Sequence, residues 1–335
     1  MRNTFALSYL LFISASLTIL FLSGCQTPES TASASVLSGK VICVDAGHGG
    51  TAATDSYRVG AGGEREEWIN LRVARDLKKL LEAEGARVLM TRSKDTHVDL
   101  QARAMLAVDQ KADVFLSIHH NATADTSVNF PIIYYHANAS ENKASVQLAQ
   151  LVGQQLLQAL FPQDTLISIA SDHTIFPKGG TAVLRHSYGI PGIIGEASFF
   201  TNPSEEEQLR QESYNQQEAQ AYLQSLITFF GQEIPTIEEK YSRIQLPPFA
   251  VLQEAERMHP TARLWLQDYQ QGKALYDEHQ LDTAYQLLTR SARSFPDSYV
   301  AGEAHLLRAE ILAVQDSLEA ATATFQRVKE YYVGL

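Results

Sequence analysis

From Lys40 onward short apolar runs alternate with longer amphipathic ones, and a chain written this way has few folds open to it beyond a parallel sheet covered by helices. Val41 to Asp45 reads as a buried strand that runs into a glycine turn, Gly47-His48-Gly49-Gly50. A helix is predicted from about Glu66, because Ile69, Val73, Leu77, Leu80 and Leu81 recur at spacings of three and four and Gly85 stands where the helix should stop. Further strands are expected at Ala86 to Met90, Asp113 to His119, near Pro131 to Tyr135 and at Gly192 to Glu196. Helices are expected near Asp99 to Asp109, through about Leu160 and from about Pro203. The fold class is therefore α/β: a mostly parallel twisted sheet with helices on both faces, followed by a small all-α helical-repeat region.

The first 25 residues follow another rule. Arg2 precedes a mostly apolar run from Ala6 to Leu22 that Ser8, Ser14, Ser16 and Thr18 interrupt, the pattern of an export signal cleaved after small residues. Leu22-Ser23-Gly24-Cys25 resembles the bacterial lipobox, which implies lipidation of Cys25 and a membrane partner through the N-terminal anchor. Gln26 in place of Asp resembles lipoproteins sorted to an outer membrane, which implies the periplasmic face of that membrane. The expected organisation is a signal peptide at 1–25, a flexible tether at 26–39 rich in Ser, Thr and Ala, an α/β domain at 40–232, a linker at 233–260 around Leu246-Pro247-Pro248, and a helical region at 261–335.

Composition removes some functions. With 335 residues, 45% of them hydrophobic, the chain is globular and long enough for about two domains. A formal net charge of -11 speaks against a nucleic-acid partner, whose phosphates call for clustered Lys and Arg. Lipidation of Cys25 would leave Cys43 without a disulfide partner, so Cys43 reads as a small buried hydrophobe.

Four ionisable residues stand out: His48, Glu66, His119 and Glu196. His48, His119 and Glu196 each fall at the C-terminal end of a predicted parallel strand, and Glu66 falls at the head of a helix. Ligands of open α/β sheets bind in the crevice beyond those strand ends. Two imidazoles and one carboxylate with a fourth position left for water make the open arrangement of a catalytic zinc ion, whose bound water has a pKa of roughly 7. Calcium and magnesium would ask for oxygen ligands. Glu196 ends the apolar strand Pro191-Gly192-Ile193-Ile194-Gly195 and suits a general base that turns acid, though a fourth metal ligand or a brace on a histidine is also open to it.

These residues sit in a specific pattern. Val41-Ile42-Cys43-Val44-Asp45-Ala46-Gly47-His48-Gly49-Gly50 resembles the opening strand and turn of the zinc-dependent N-acetylmuramoyl-L-alanine amidases of type 3. Arg65-Glu66 with Asn70-Leu71, then Ser117-Ile118-His119-His120-Asn121-Ala122, then Val183-Leu184-Arg185 and Pro191 with Glu196 and Thr201-Asn202-Pro203, continue the likeness in order, over about Lys40 to Phe230. The resemblance implies a Zn2+ cofactor on His48, Glu66 and His119, Glu196 as catalytic acid/base, Arg185 as a substrate contact, and peptidoglycan as substrate. After Glu196 the family usually runs Leu-Gly-Phe where this chain has Ala197-Ser198-Phe199, and the stretch between Tyr135 and the helix through Leu160 leaves no room for the extra inhibitory helix of some members. A zinc peptidase on another exported amide and a non-catalytic envelope scaffold are the alternatives.

The remaining histidines carry weaker signals. Strand alternation sends His120 to the face opposite His119. His173 and His186 read as exposed loop histidines, and His97 and His136 have no context. In the C-terminal region, Ala284 and Ala320 recur at 36 residues, near the tetratricopeptide period of about 34, and Phe295-Pro296 closes a helix pair. Such repeats imply a protein partner, while Trp265, Tyr269, Tyr276 and Tyr285 at helical spacing read as core rather than as a groove.

Overall fold

The computed structural model describes residues 34–50, 58–123, 126–164, 167–176, 179–240, 264–294, 298 and 300–331. Cys25, the signal segment, most of the tether, Leu246-Pro247-Pro248 and Phe295-Pro296 lie outside the described residues. Among the described residues no helix is long and apolar enough to cross a membrane.

The α/β part runs β1 (Val41–Ala46), α1 (Glu66–Ala83), β2 (Arg87–Met90), α2 (Leu100–Asp109), β3 (Val114–Asn121), β4 (Ile132–Tyr135), α3 (Lys143–Leu160), β5 (Ser168–Ser171), α4 (Ala182–His186), β6 (Gly192–Phe199), α5 (Pro203–Leu209) and α6 (Glu212–Phe230). The strands form one six-stranded sheet in the order β2-β1-β3-β6-β4-β5. The first four are mutually parallel; β4 pairs antiparallel with β6, and β5 runs parallel with β4. The sheet is mostly parallel, as expected, but its last two strands point the other way. β5 has no counterpart in the sequence reading, because Ser168-Ile169-Ala170-Ser171 is too short and too polar to show a strand period.

Alternation along the strands splits the core in two. Ile42, Val44, Leu116, Ile118 and Ile193 face α1, α3 and α6, whereas Cys43, Phe115, Ile132 and Ile194 face α2 and α4 through Ala107, Val183 and Leu184. Cys43 is fully buried there, as its apolar neighbours predict, and burial followed by the charge of Asp45 pushes its thiol up to about 12. Helix α1 buries Ile69, Val73, Leu77 and Leu81, each contributing roughly 1.5–3 kcal/mol on burial. It stops where Gly85 turns left-handed (φ 83°), with Gly85 N–H donating to Glu82 and Ala86 N–H to Leu81. Asp99 starts α2 by accepting from the amides of Gln101 and Ala102.

Among the described residues the C-terminal part shows two helix pairs, α7 (Leu264–Asp277) with α8 (Leu281–Ser294) and α9 (Ala301–Val314) with α10 (Leu318–Tyr331). Helices α7 and α9 begin at 264 and 301 and α8 and α10 at 281 and 318, an offset of 37 residues in both cases. The alanine equivalent to the buried Ala284 is therefore Ala321, also buried, while Ala320 is exposed; the 36-residue register is corrected by one. Trp265 and Tyr269 are core residues with Leu288, Leu307 and Ile311, and Tyr276 and Tyr285 pack against them.

Candidate metal centre

The parallel strands β1 and β3 deliver their chain ends to one edge of the sheet. Beyond β1 the backbone turns through His48 (φ 58°), Gly49 (φ 119°) and Gly50 (φ 77°). A left-handed histidine costs about 1–3 kcal/mol and persists only where its surroundings hold it. Two buried arginines do so. Arg92 donates to the carbonyls of Ala46 (2.8 Å), Gly47 (2.8 Å) and Glu67 (2.7 Å), and Arg103 donates to Ala46 (2.8 Å) and to His48 itself (2.6 Å). Arg92 thereby ties the His48 turn to the head of α1. Its burial lowers its pKa to about 10.

Glu66 opens α1 and aims its carboxylate at that turn. Oε1 lies 3.0 Å from His48 Nε2 and 3.1 Å from His119 Nδ1, and it accepts at 3.3 Å from the His120 amide and from Asn70 Nδ2. The segment before α1 is held from α5, where the Glu206 carboxylate accepts from the amides of Gly62 and Glu64. The His48 and His119 rings meet edge to face with centroids 4.7 Å apart. Donor atoms of His48, Glu66 and His119 all lie within 4.8 Å of one another. Burial alone would push Glu66 up, but the charge of His48 and the hydrogen bond to His119 outweigh it and hold the carboxyl well below its ordinary value. Burial would likewise lower His119, and the Glu66 hydrogen bond with the Glu196 charge instead raises it to about 8.

Gly47 explains why the ring of His119 fits. A Cβ at this position would stand 2.3 Å from both Cε1 and Nε2 of His119, so the glycine is a requirement of contact. The β3–β6 register also slips between His119 and Asn121, a bulge at the strand end beside the three side chains. Glu196 lies in β6 directly opposite His119, on the same face of the sheet and half-buried, next to the trio rather than within it.

His120 points to the other face, as alternation requires. It is fully buried between Asn70 Oδ1 (2.8 Å) and Glu218 Oε2 of α6 (3.0 Å). Because Asn70 also donates to Glu66 and to the Gly47 carbonyl (3.3 Å), a chain of polar contacts runs from α6 through His120 and Asn70 to the trio. Below the turn, buried Asp45 accepts from Arg103 (2.8 Å), Thr91 (2.6 Å) and Ser117 (2.6 Å); burial opposes its charge, and these partners hold its pKa below the ordinary value. None of Arg92, Arg103, Asp45 and Glu218 was singled out from the sequence. For Arg103 a signal existed: it shares a helical face with the buried Ala104 and Ala107, an unusual place for a charge.

Arg185 is not brought to the trio. It is exposed on α4, and Nη1 donates to the carbonyls of Gly179 (3.1 Å) and Gly180 (3.0 Å), near the start of β6 rather than its end. His186 is exposed as expected. His173 is not: it is 5% exposed and stands with His136 and Asp172 in a second buried set of ligand-type side chains.

The sequence profile of the family Amidase_3, described as N-acetylmuramoyl-L-alanine amidase, matches residues 42–228. N-acetylmuramoyl-L-alanine amidase LytC of Bacillus subtilis is 31% identical over 192 residues, which are 57% of this chain and 36% of that protein. Probable cell wall amidase LytH of Staphylococcus epidermidis is 30% identical over 208 residues, 61% of this chain and 62% of that protein. The chain thus spans less than two thirds of the length of either relative. Among solved structures, N-acetylmuramoyl-L-alanine amidase AmiC2 of Nostoc punctiforme superposes with a TM-score of 0.50 at 27% identity, over 58% of this chain and 99% of that one. The N-acetylmuramoyl-L-alanine amidase from Clostridium difficile 630 does so with a TM-score of 0.50 at 29% identity, over 58% and 98%. A profile match over more than half of the chain, through the strands and helices that carry His48, Glu66, His119 and Glu196, makes this chain a member of the N-acetylmuramoyl-L-alanine amidase family Amidase_3.

Proposed function

We propose that this chain is a zinc-dependent hydrolase of the amide bond between N-acetylmuramic acid and L-alanine in peptidoglycan. The observation that carries the reading is the meeting of His48, Glu66 and His119 donor atoms within 4.8 Å, beside Glu196, in a member of the amidase family. The donor set fits the ion: two imidazole nitrogens and one carboxylate oxygen, with the thiol of Cys43 buried in the core behind the strand. His48, Glu66 and His119 would hold it, and zinc when bound polarises the scissile carbonyl and makes water a competent nucleophile near neutral pH.

The protein's own groups do the rest. Glu196 takes the proton of the attacking water as its oxygen bonds to the lactyl carbonyl carbon, and returns it to the amide nitrogen as the C–N bond breaks. The products are a free lactyl carboxylate on the glycan and a free amino group on L-alanine. The chain of contacts from Glu218 through His120 and Asn70 fixes the Glu66 carboxylate, and the Arg92 and Arg103 hydrogen bonds fix the His48 turn.

Envelope placement belongs to the same proposal. Cys25 would carry the lipid at the periplasmic face of the outer membrane, and the helix pairs α7 to α10 would recruit a protein partner; labelled palmitate incorporated by the wild type and not by Cys25→Ser would support the first of these. The activity itself is tested on purified sacculi incubated with the chain and zinc. New lactyl ends and new L-alanine amino termini in equal number are expected. New termini elsewhere in the stem would make it a peptidase, and none would make it a wall-binding scaffold.

A further inference from the structure

The second set of ligand-type side chains lies at the opposite edge of the sheet. His136 follows β4 and Asp172 and His173 follow β5, and because Tyr135 at the end of β4 pairs with Ile193 near the start of β6, these residues sit at the N-terminal edge of the parallel strands. The residues are 2%, 0% and 5% exposed, and their donor atoms lie within 4.8 Å of one another. Both oxygens of Asp172 lie 3.0 Å from His136 Nδ1, close to the 3.0 and 3.1 Å that the single oxygen Oε1 of Glu66 keeps from its two histidines in the first set. Around a tetrahedral ion with bonds of about 2.0–2.1 Å the ligand-to-ligand edge is about 3.3 Å.

Other residues orient this set as supporting groups orient metal ligands. Thr181 donates to Asp172 Oδ2 from its amide (2.7 Å) and its hydroxyl (2.8 Å). Gly180, left-handed at φ 65°, keeps the space in front of the donors clear: a Cβ there would stand 2.5 and 2.6 Å from the Asp172 oxygens and 2.6 Å from His136 Nδ1. The His173 ring lies 5.2 Å from that of His136, centroid to centroid.

One further contact makes the set a choice between two cations. The segment after α6 returns to this edge, where Ile237 bridges to Asn142, the Glu238 amide donates to Glu141, and Lys240 Nζ stands 3.0 Å from His136 Nε2 and 4.5 Å from the Tyr188 ring centroid. Lys240 is a donor only, so Nε2 accepts and the ring proton is on Nδ1, shared with Asp172. An ion that took Nδ1 would move that proton to Nε2, which can then no longer accept from Lys240. We propose that His136, Asp172 and His173 form a second site for a zinc-type divalent ion, whose binding excludes the Lys240–His136 hydrogen bond and loosens the segment around residues 237–240. Two imidazoles with one carboxylate select for zinc and its neighbours in the transition series over calcium or magnesium.

The test uses the full chain carrying His48→Ala and His119→Ala, so that the first trio holds no ion and the outcome is independent of the proposed amidase. Cobalt(II) is titrated into the metal-free protein and followed by its visible absorption, then displaced with zinc. One saturable equivalent with the bands of a low-coordinate site is expected, lost on adding Asp172→Asn or His173→Gln. Lys240→Met should bind cobalt about three- to tenfold more tightly, the value of one competing hydrogen bond. No saturable binding in either the double variant or its Lys240→Met form would overturn the proposal, leaving His136 as a clamp for Lys240. Equal affinity with Lys240 and with Met at 240 would overturn the competition.

Discussion

Replacing Gly47 by alanine should disarm the site while leaving the fold intact. Gly49 and Gly50 have left-handed backbones, but Gly47 does not, so alanine fits its backbone without strain. The difficulty is one contact. The new methyl would lie 2.3 Å from Cε1 and Nε2 of His119, whereas ordinary van der Waals contact begins at 3.4 Å, so the ring must retreat by about 1.1 Å. The atoms it would meet are the far end of a partly exposed side chain and not backbone, which moves the cost from stability to geometry. A ligand tolerates about 0.2 Å of displacement, and a misplacement of about 1 Å at a reacting centre costs about a hundredfold in rate, or about 2.7 kcal/mol. Chelator competition should show weakened zinc binding and sacculus digestion a loss of about two orders of magnitude in kcat/KM. Urea unfolding should shift by no more than about 1 kcal/mol. Gly192→Ala is the control, since its methyl would meet nothing closer than 3.5 Å. Wild-type zinc affinity and turnover in Gly47→Ala would refute the contact argument.

Glu196→Gln should keep zinc yet lose about 10²- to 10⁴-fold in turnover, whereas His119→Ala should lose the metal; equal turnover in Glu196→Gln and wild type, measured by lactyl-end release, would remove the proposed acid/base. Because His119 is raised to about 8 in the metal-free protein, zinc must displace its proton, and apparent affinity should fall by about tenfold per pH unit below that value; affinity flat between pH 6 and 8 by calorimetry would contradict this. His120→Ala strands the fully buried Glu218 carboxylate and should cost roughly 3–5 kcal/mol in urea unfolding, with Glu218→Gln recovering part of it in the double variant. Burial opposes protonation of His120, but the Glu218 charge wins and raises its pKa, so the pair's stabilisation is full below the ordinary histidine value and lost as pH rises through the folded one; Glu218→Gln should flatten that dependence.

Much of the α/β framework is legible locally, because each element states its own period. Ile69, Val73, Leu77 and Leu81 describe α1 without reference to anything else, and Gly85 ends it. The strands carrying His119 and Glu196 are recognisable for the same reason, and their parallel pairing then forces the residues into register. The reversed direction of β4 is different in kind. Ile132 to Tyr135 is apolar whichever way it runs, and only its hydrogen bonds to β6, some 60 residues later in the chain, decide the matter. The buried state of His173 was missed for a related reason: its neighbours Ser171, Asp172 and Thr174 are polar, and it is shielded by tertiary contacts with His136.

The adjacent pair His119 and His120 shows how a strand end can separate reactivity from support. Alternation sends one ring toward Glu66 and Glu196 in the cleft and the other into the core against α6. Successive side chains of a strand point to opposite faces of the sheet, so the two adjacent rings do not compete for the same ion. The core-facing ring costs little to keep, because Asn70 and Glu218 satisfy both nitrogens, and through Asn70 it reaches the same Glu66 oxygen that the cleft-facing ring touches. Glu66 is therefore fixed from both faces of the sheet at once. A carboxylate steadied in this way is preorganised for a metal, since little side-chain freedom remains to be lost on binding. The sharpest consequence is that His120→Gln, whose amide NH2 keeps an N–H donor for these acceptors, should lower zinc affinity less than His120→Ala, even though neither variant alters a residue of the trio.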